Sequence, residues 1–440
     1  MNGKLGAALA TLIVAVLLIA PWLVGQRIEA PLTRHLEAPL GPFEQRLVSY
    51  DRGWFSAEAS SELLLETDDG PLSIPLDHRV RHGPWRFGWA QVESRVNPPE
   101  QARALLEHYF GERSPFEATT EVAFNGDIES RFNAPAFDET PLYGAGEGRI
   151  AWGGMTGHYR HSEARSALSL ELPSLSLQGG GDRLLIDQAR LEASGPAGAA
   201  FSEAQSHVSL GRLEMVEAAR GSRLVASFES QSRLFEQRDG ALALSVSMSA
   251  DDVLFKEPAA QRPLEITGTH QTLALRDLPR EPTLHLLSAL ADVDPSLDEA
   301  QTAARTRALL TRYLTHLAEG SPSLEYRIDD FTTPQGSMNG RLEARLEAAA
   351  QPADALESLL SRAGLALELD ADRALLTRLS ASETAERAGL IEELMQENIL
   401  VADGDRLQTS IEARNRQLLV NGEPRPELFM LLLMSLSLSL

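Results

Sequence analysis

The sequence predicts a membrane-anchored protein: a single N-terminal transmembrane helix followed by a β-rich α+β ectodomain built on extended antiparallel sheets. Three observations carry this reading. Leu5 to Val24 form an uncharged run long enough to span a bilayer, segments alternating between apolar and polar residues recur from Arg46 onward, and helical periodicity is concentrated in the carboxyl half.

The anchor reads LGAALATLIVAVLLIAPWLV. At a rise of about 1.5 Å per residue, such a helix covers a hydrocarbon core about 30 Å thick. Backbone polar groups in lipid must be satisfied internally, which leaves helix as the conformation for an isolated span. Pro21 lies near the exit, Trp22 falls at the headgroup layer, and Gln26, Arg27 and Glu29 return the chain to water. A cleaved signal peptide would share the positive start at Lys4. Its apolar core, however, is about 7–15 residues long and ends in an A-x-A pattern, whereas here Ala20 is followed by Pro21.

Residues 1–4 are therefore read as a cytoplasmic stub, 5–24 as the anchor and 25–45 as a stalk broken by Pro31 and Pro39. Lys4 and the amino terminus are balanced by Arg27 and Arg34, so the positive-inside rule says little. Long domains cross largely regardless of charge, which makes a periplasmic body held at the inner membrane the simpler topology.

From residue 46 to 280 the pattern is sheet. Leu63, Leu65 and Thr67 alternate with Leu64 and Glu66, and Leu72, Ile74 and Leu76 follow across Asp69-Gly70-Pro71, a hairpin signal. Leu168, Leu170 and Leu172 share one face before Pro173, after which the pattern moves to Leu175 and Leu177, as at a bulge or edge. Gly179-Gly180-Gly181-Asp182 reads as a turn. Leu224, Ala226 and Phe228 alternate, as do Leu242, Leu244, Val246 and Met248 with serines between them. Such alternation marks antiparallel sheet with one wet face and argues against an α/β enzyme fold.

Residues 281–440 read as α+β. Ala303, Leu310 and Leu317 repeat by sevens with Tyr313 and Leu314 in the same stripe, until Gly320-Ser321-Pro322 stops the helix. Helical stretches at 353–363 and 383–397 alternate with strands at 324–328, 338–346, 365–369 and 407–411. The closing LFMLLLMSLSLSL is too short for an unaided membrane span and is read as a buried terminal strand.

At 440 residues and 43% hydrophobic composition the chain can bury a substantial core. A formal charge of −23 disfavours nucleic acid, which needs clustered cations. The absence of cysteine removes disulfides, thiolate nucleophiles and thiolate metal sites. His78 with His82 and His158 with His161 have helical metal-ligand spacing, but their segments are not helical, so turns or sheet surface are expected for them. Gly144, Gly146 and Gly148 precede a strand, not the helix a dinucleotide loop needs. Acidic pairs such as Asp251-Asp252, Asp370 with Asp372 and Asp403 with Asp405 are what a chain this acidic produces by chance. No catalytic residue, metal ligand or cofactor is expected.

Four motifs remain: Tyr50-Asp51-Arg52-Gly53-Trp54-Phe55-Ser56, His82-Gly83-Pro84, Thr333-Pro334-Gln335-Gly336 and Leu419-Val420-Asn421-Gly422. In this order they resemble the YdgA-like proteins of Gram-negative bacteria, a family of unknown function. The resemblance runs from the anchor nearly to the end and implies an inner-membrane helix with a large periplasmic part, but no catalytic residue. Ala57 stands where a second serine is expected.

Physically the motifs read as scaffold. Gly53 turns the backbone between Tyr50 and Trp54, whose rings would anchor the first strand. His82-Gly83-Pro84 would close a strand, and Pro334, Gly336, Asn421 and Gly422 would make turns.

The expected role is a non-enzymatic envelope protein offering a surface or groove to a lipid, another hydrophobic ligand or an envelope protein. A periplasmic hydrolase acting on glycan or peptide is the first alternative. A homodimer supporting an inner-membrane complex is the second.

Overall fold

The computed structural model describes residues 44–65, 72–82, 88–98, 100–140, 148–197, 203–256, 263–291, 299–317, 320–347, 362–380, 389–414 and 417–427. The expected anchor, nearly all of the stalk, Gly83, Pro84, most of the helical stretch expected at 353–363 and the apolar tail lie outside these residues. No helix among the described residues is long and apolar enough to cross a membrane. The described chain is a large, mostly antiparallel β-sheet structure, with twenty-two strands and five helices among those residues. It packs as two units, residues 44–179 with 190–197, and residues 180–189, 203–291 and 299–427. The boundary expected at residue 280 falls inside the second unit.

In the first unit, β1 (Glu44–Arg52), β2 (Ser56–Leu65), β3 (Leu72–His82), β4 (Gly88–Val96), β5 (Glu117–Ala123) and β6 (Ile128–Ala134) pair in chain order as an antiparallel meander. Leu65 faces Leu72 across the hairpin that the alternation predicted. Helix α1 (Glu100–Phe110), which the sequence reading did not anticipate, lies between β4 and β5. It packs Tyr109 and Phe110 against Phe137, tilted and edge-on, at 4.9 and 5.1 Å between ring centroids. After β7 (Phe137–Glu139) and β8 (Gly148–Trp152), β9 (Met155–His161) pairs with β6. The fifteen-residue β10 (Arg165–Gly179) pairs first with β9 and then with β8.

The step in apolar pattern at Pro173 is not a register slip. Glu171 faces Thr156 and Leu175 faces Trp152, so both strands advance by four residues and neither gains one. Leu175 and Leu177 consequently point to the sheet face opposite Leu168, Leu170 and Leu172.

Small side chains build this unit's core. Ala57, Val80, Ala90 and Val92 are buried, with Tyr50 and Val122 packed against them. His78 and His82 lie on the same inner face of β3 and are buried, which corrects the expectation of turns or sheet surface.

Strand β11 (Asp182–Pro196) contributes its first half to the second unit and its remainder to the first. The second unit continues with β12 (Gln205–Glu217), β13 (Ser222–Glu236), β14 (Leu242–Lys256), β15 (Leu264–Leu278), β16 (Ser323–Thr333), β17 (Gly336–Leu346) and β18 (Ala363–Asp372), again paired in order. Beyond β18 comes β20 (Arg406–Arg414), whose far edge takes β19 (Val401–Asp403) and β21 (Gln417–Val420); β22 (Glu423–Pro424) follows β21. The four strands expected in the carboxyl half correspond to β16, β17, β18 and β20. Helices α2 (Arg280–Ala291) and α3 (Glu299–Leu317) sit between β15 and β16, and α4 (Arg373–Ser380) and α5 (Leu390–Gln396) between β18 and β19.

Candidate functional site

The sheet of the second unit sorts its side chains by chemistry. Directly opposed residues share a face, and the ladders from β14 to β21 keep one register through their central parts, so rows can be followed across seven strands. One row runs Val246, Leu273, Tyr326, Leu342, Leu367, Ile411 and ends at Val420. The next runs Leu244, Leu275, Leu324, Ala344, Leu365, Ala413 and ends at Leu418. A third passes through Met248, Ile328, Gly340 and Leu369. Seven strands spaced about 4.8 Å apart make this face roughly 29 Å wide, and three rows two residues apart make it roughly 14 Å deep.

The opposite face carries the charge. Arg341 lies 3.1 Å and Arg276 3.4 Å from Glu325, and Arg327 lies 3.0 Å from Asp329.

Two helix pairs cover only parts of the apolar face. Leu284, Leu287 and Leu317 of α2 and α3 pack on Leu234, Leu242 and Leu278. Leu376, Ile391, Leu394 and Met395 of α4 and α5 pack near Leu407, at the other end of the strands. Between them Leu273, Tyr326, Leu342 and Leu367 are only half-buried, and Met248 is 39% exposed. The row from Leu244 lies partly under α2 and α3, and at β20 and β21 Ala413, Leu418 and Val420 are buried with Ile399 packed against their cluster, so the open part is the middle of the face on β14 to β18. Thr409, opposite Leu369, and one hydrogen-bonded pair interrupt the apolar face, the Tyr326 hydroxyl donating to Gln271 Oε1 at 2.7 Å. At Gly340 the Leu369 and Ile328 side chains close over the missing side chain, 3.7 and 4.0 Å from where a Cβ would stand.

A separate cleft of about 700 Å³ opens on the charged side, lined by Arg341, Asn339, Glu368 and Asp370 among others. Acid chemistry would need a carboxylate free to hold or take a proton. Here Arg406 Nε donates to Asp370 at 2.7 Å, and the Ser337 backbone N–H, 2.6 Å away, holds neighbouring Asp372 below the usual carboxylate range. The structure therefore gives the acidic pair a structural task. Among the described residues there is no cluster of metal-ligating side chains.

The four motifs are distributed between the units. In the first, the Gly53 N–H donates to the Ser56 carbonyl at 2.7 Å, closing the β1–β2 turn, and the His82 N–H donates to the Phe55 carbonyl at 3.1 Å. The first two motifs thus meet. Tyr50 packs on the core as expected, but Trp54 and Phe55 are 50% and 48% exposed at the turn. A two-residue turn needs the backbone at its tip, which leaves those rings no inner face to join.

His78, beside these motifs, sits between hydroxyls: Ser61 Oγ is 2.8 Å from Nε2 and Ser94 Oγ 2.8 Å from Nδ1. Burial pushes its imidazole down to about 4, partly opposed by the Asp77 carboxylate. This buried line across three strands was missed in the sequence because its members stand about sixteen residues apart. His158, on the other face, has Nε2 2.9 Å from Glu129, while His161, on the same face as His78, has Nδ1 2.8 Å from Ser166 Oγ.

In the second unit, Pro334 and Gln335 form the β16–β17 turn. Thr333 Oγ1 donates to the Gly336 carbonyl at 3.1 Å, and Gly336 takes φ +138° against Asp372. Asn421 and Gly422, at φ +51° and +81°, turn β21 into β22. The Asn421 side chain also accepts the Ser410 N–H at 2.8 Å and donates to the carbonyls of Asn398 and Ile399 at 2.8 and 3.1 Å.

No curated protein and no solved structure matches the chain. One family model does, over residues 3–427, and it describes a bacterial protein of unknown function. With nearly its whole length matched, the chain belongs to the bacterial family of unknown function DUF945.

Proposed function

We propose that the protein is a non-enzymatic binder of an acyl-chain ligand, held at the inner membrane by residues 5–24 with its body in the periplasm. The observation that carries the binding role is the uncharged, half-buried middle of the face on β14 to β18, around Met248, Leu273, Tyr326, Leu342 and Leu367, backed by a sheet whose charge lies on the other side. Apolar ligand sites are mostly apolar with few polar groups to orient the ligand, and the Tyr326–Gln271 pair is such a group. The envelope location draws its support from the uncharged length of Leu5–Val24 and from the motifs shared with YdgA-like proteins.

The test is a titration of the full chain with cis-parinaric acid, a fluorescent fatty acid. Leu342→Glu and Leu367→Glu place a charge in the central row and are expected to weaken binding at least tenfold. Ser245→Glu, on the exposed opposite face, leaves it unchanged. Binding that ignores the two leucine substitutions would show that the ligand sits elsewhere and end this assignment.

A further inference from the structure

The open apolar face does not stop at Met248. Strand β13 has no residue of positive φ and alternates without a break, so Leu224, Phe228 and Ser230 share the face of Leu234. Two rows follow from it. One runs Leu210, Phe228, Ala250 and Thr269, the other Met215, Leu224, Phe255 and Leu264. Asp252, at φ +54°, takes up the extra residue of β14 between them. Neither row carries a charge, and Met215, Phe228 and Phe255 are 41%, 38% and 40% exposed. On the opposite face Arg212 and Arg223 meet Glu214 at 2.8 and 3.1 Å.

The face thus has two limbs that join at Met248. The first crosses β14 to β18, four strand spacings or about 19 Å. The second covers β12 to β15, about 14 Å wide and about 24 Å long from Met248 to Phe255. An acyl chain covers half of a hydrocarbon core about 30 Å thick, so each limb has room for one. At the join Gln271 faces Met248 and Thr269 faces Ala250. Gln271 Oε1 accepts the Tyr326 hydroxyl, and one of its amide N–H groups donates to Thr269 Oγ1 at 3.5 Å. The second amide N–H and the Thr269 O–H then offer two donors for two ester carbonyls. A second copy fits less well, since about 340 Å² on the second limb is under half of the roughly 800 Å² that each partner of a stable complex buries.

We propose that the acyl-chain ligand is a diacyl lipid, with one chain on each limb and its ester linkages at Thr269 and Gln271. This rests on the acyl-chain reading above and adds the second chain. A single chain takes the first limb, where the helix pairs on either side leave less of it in water.

Two measurements test this. In the first, the photoreactive p-benzoylphenylalanine replaces Leu342, Phe228 or Phe255 of the full chain in bacterial cells, and the adducts formed on irradiation are weighed by mass spectrometry. The mass of one two-chain lipid is expected at all three positions and no lipid at Ser245. Single-chain masses, crosslinks to protein, or no adduct at Phe228 and Phe255 would overturn the second chain, whereas no lipid at Leu342 would sink the acyl-chain reading itself. In the second, cis-parinaric acid bound to the full chain is displaced with dioctanoylphosphatidylglycerol or with its single-chain octanoyl lysolipid. The two-chain lipid is expected to act at a concentration at least about tenfold lower. Phe228→Glu should remove that advantage while the affinity for cis-parinaric acid stays within about twofold of wild type. Equal displacement by the two lipids, or an advantage that survives Phe228→Glu, overturns the two-chain ligand and leaves the acyl-chain reading standing. No binding of the probe ends both.

Discussion

Asn421 does more than a turn residue needs to. Its left-handed backbone suits the Asn-Gly turn, while its amide joins β20, the 398–399 turn and its own hairpin. Asn421→Ala leaves the Ser410 N–H and two carbonyls short of partners and strains the backbone. A loss of about 2–3 kcal/mol is expected, and urea unfolding followed by circular dichroism would measure it. Gly336→Ala faces a harder obstacle, because a Cβ there would stand 2.5 Å from the Asp372 Cβ at φ +138°. It should cost at least about 2 kcal/mol, and a midpoint within error of wild type would contradict the packing.

His78 gives a pH dependence. Its pKa is lowered by folding, so between about 4 and 6.5 the unfolded chain holds the extra proton. Stability present above pH 6.5 is therefore lost as pH falls toward 4, by at most about 3 kcal/mol. His78→Gln removes that slope, so the two proteins' urea midpoints should converge on acidification. Parallel curves would show that the imidazole is not desolvated. The turn residues could be read in the sequence because Gly and Asn announce unusual backbone. The partners of His78 and Asn421 could not, since only strand pairing brings them together.

Among the elements, α3 shows where periodicity misleads. The stripe Ala303, Leu310, Tyr313, Leu314 and Leu317 predicts an inward face; Tyr313 and Leu317 are partly buried as it requires, yet Leu310 and Leu314 are 44% and 47% exposed. Thr302, Thr306, Leu309 and His316, outside the stripe, are partly buried beside Tyr313 and Leu317. The helix is rotated because Tyr313 reaches the Thr283 hydroxyl of α2 at 2.7 Å, a contact no hydropathy pattern contains. Tyr313→Phe should cost about 1 kcal/mol, whereas Leu310→Glu should stay within about 0.5 kcal/mol; thermal melts of both would rank them. Strands were easier to read, since alternation is local and one-sided in this chain. Helix α1 escaped notice because its packing depends on Phe137, in a strand of three residues.

For the whole molecule, antiparallel sheet and few helices could be read directly, because solvated faces force alternation. The division into units could not, since β11 belongs to both and no composition shift marks it. The proposed topology is tested by fusing alkaline phosphatase after residue 30: an active enzyme is expected, and a reporter active only in the cytoplasm would reverse the placement of the body.

The serial pairing within both units also permits assembly in chain order. From β1 to β6, and again from β12 to β18, each strand's partner is its immediate predecessor in the sheet. No strand in these runs waits for one far downstream, so little loop entropy must be spent before a contact forms. A chain emerging amino terminus first can add strands one at a time to an existing edge. The β10 strand is the exception in the first unit, because both β8 and β9 must be present before its full length can close. A stalled chain ending before Arg165 would expose the edges of β8 and β9 and be the species most prone to aggregate.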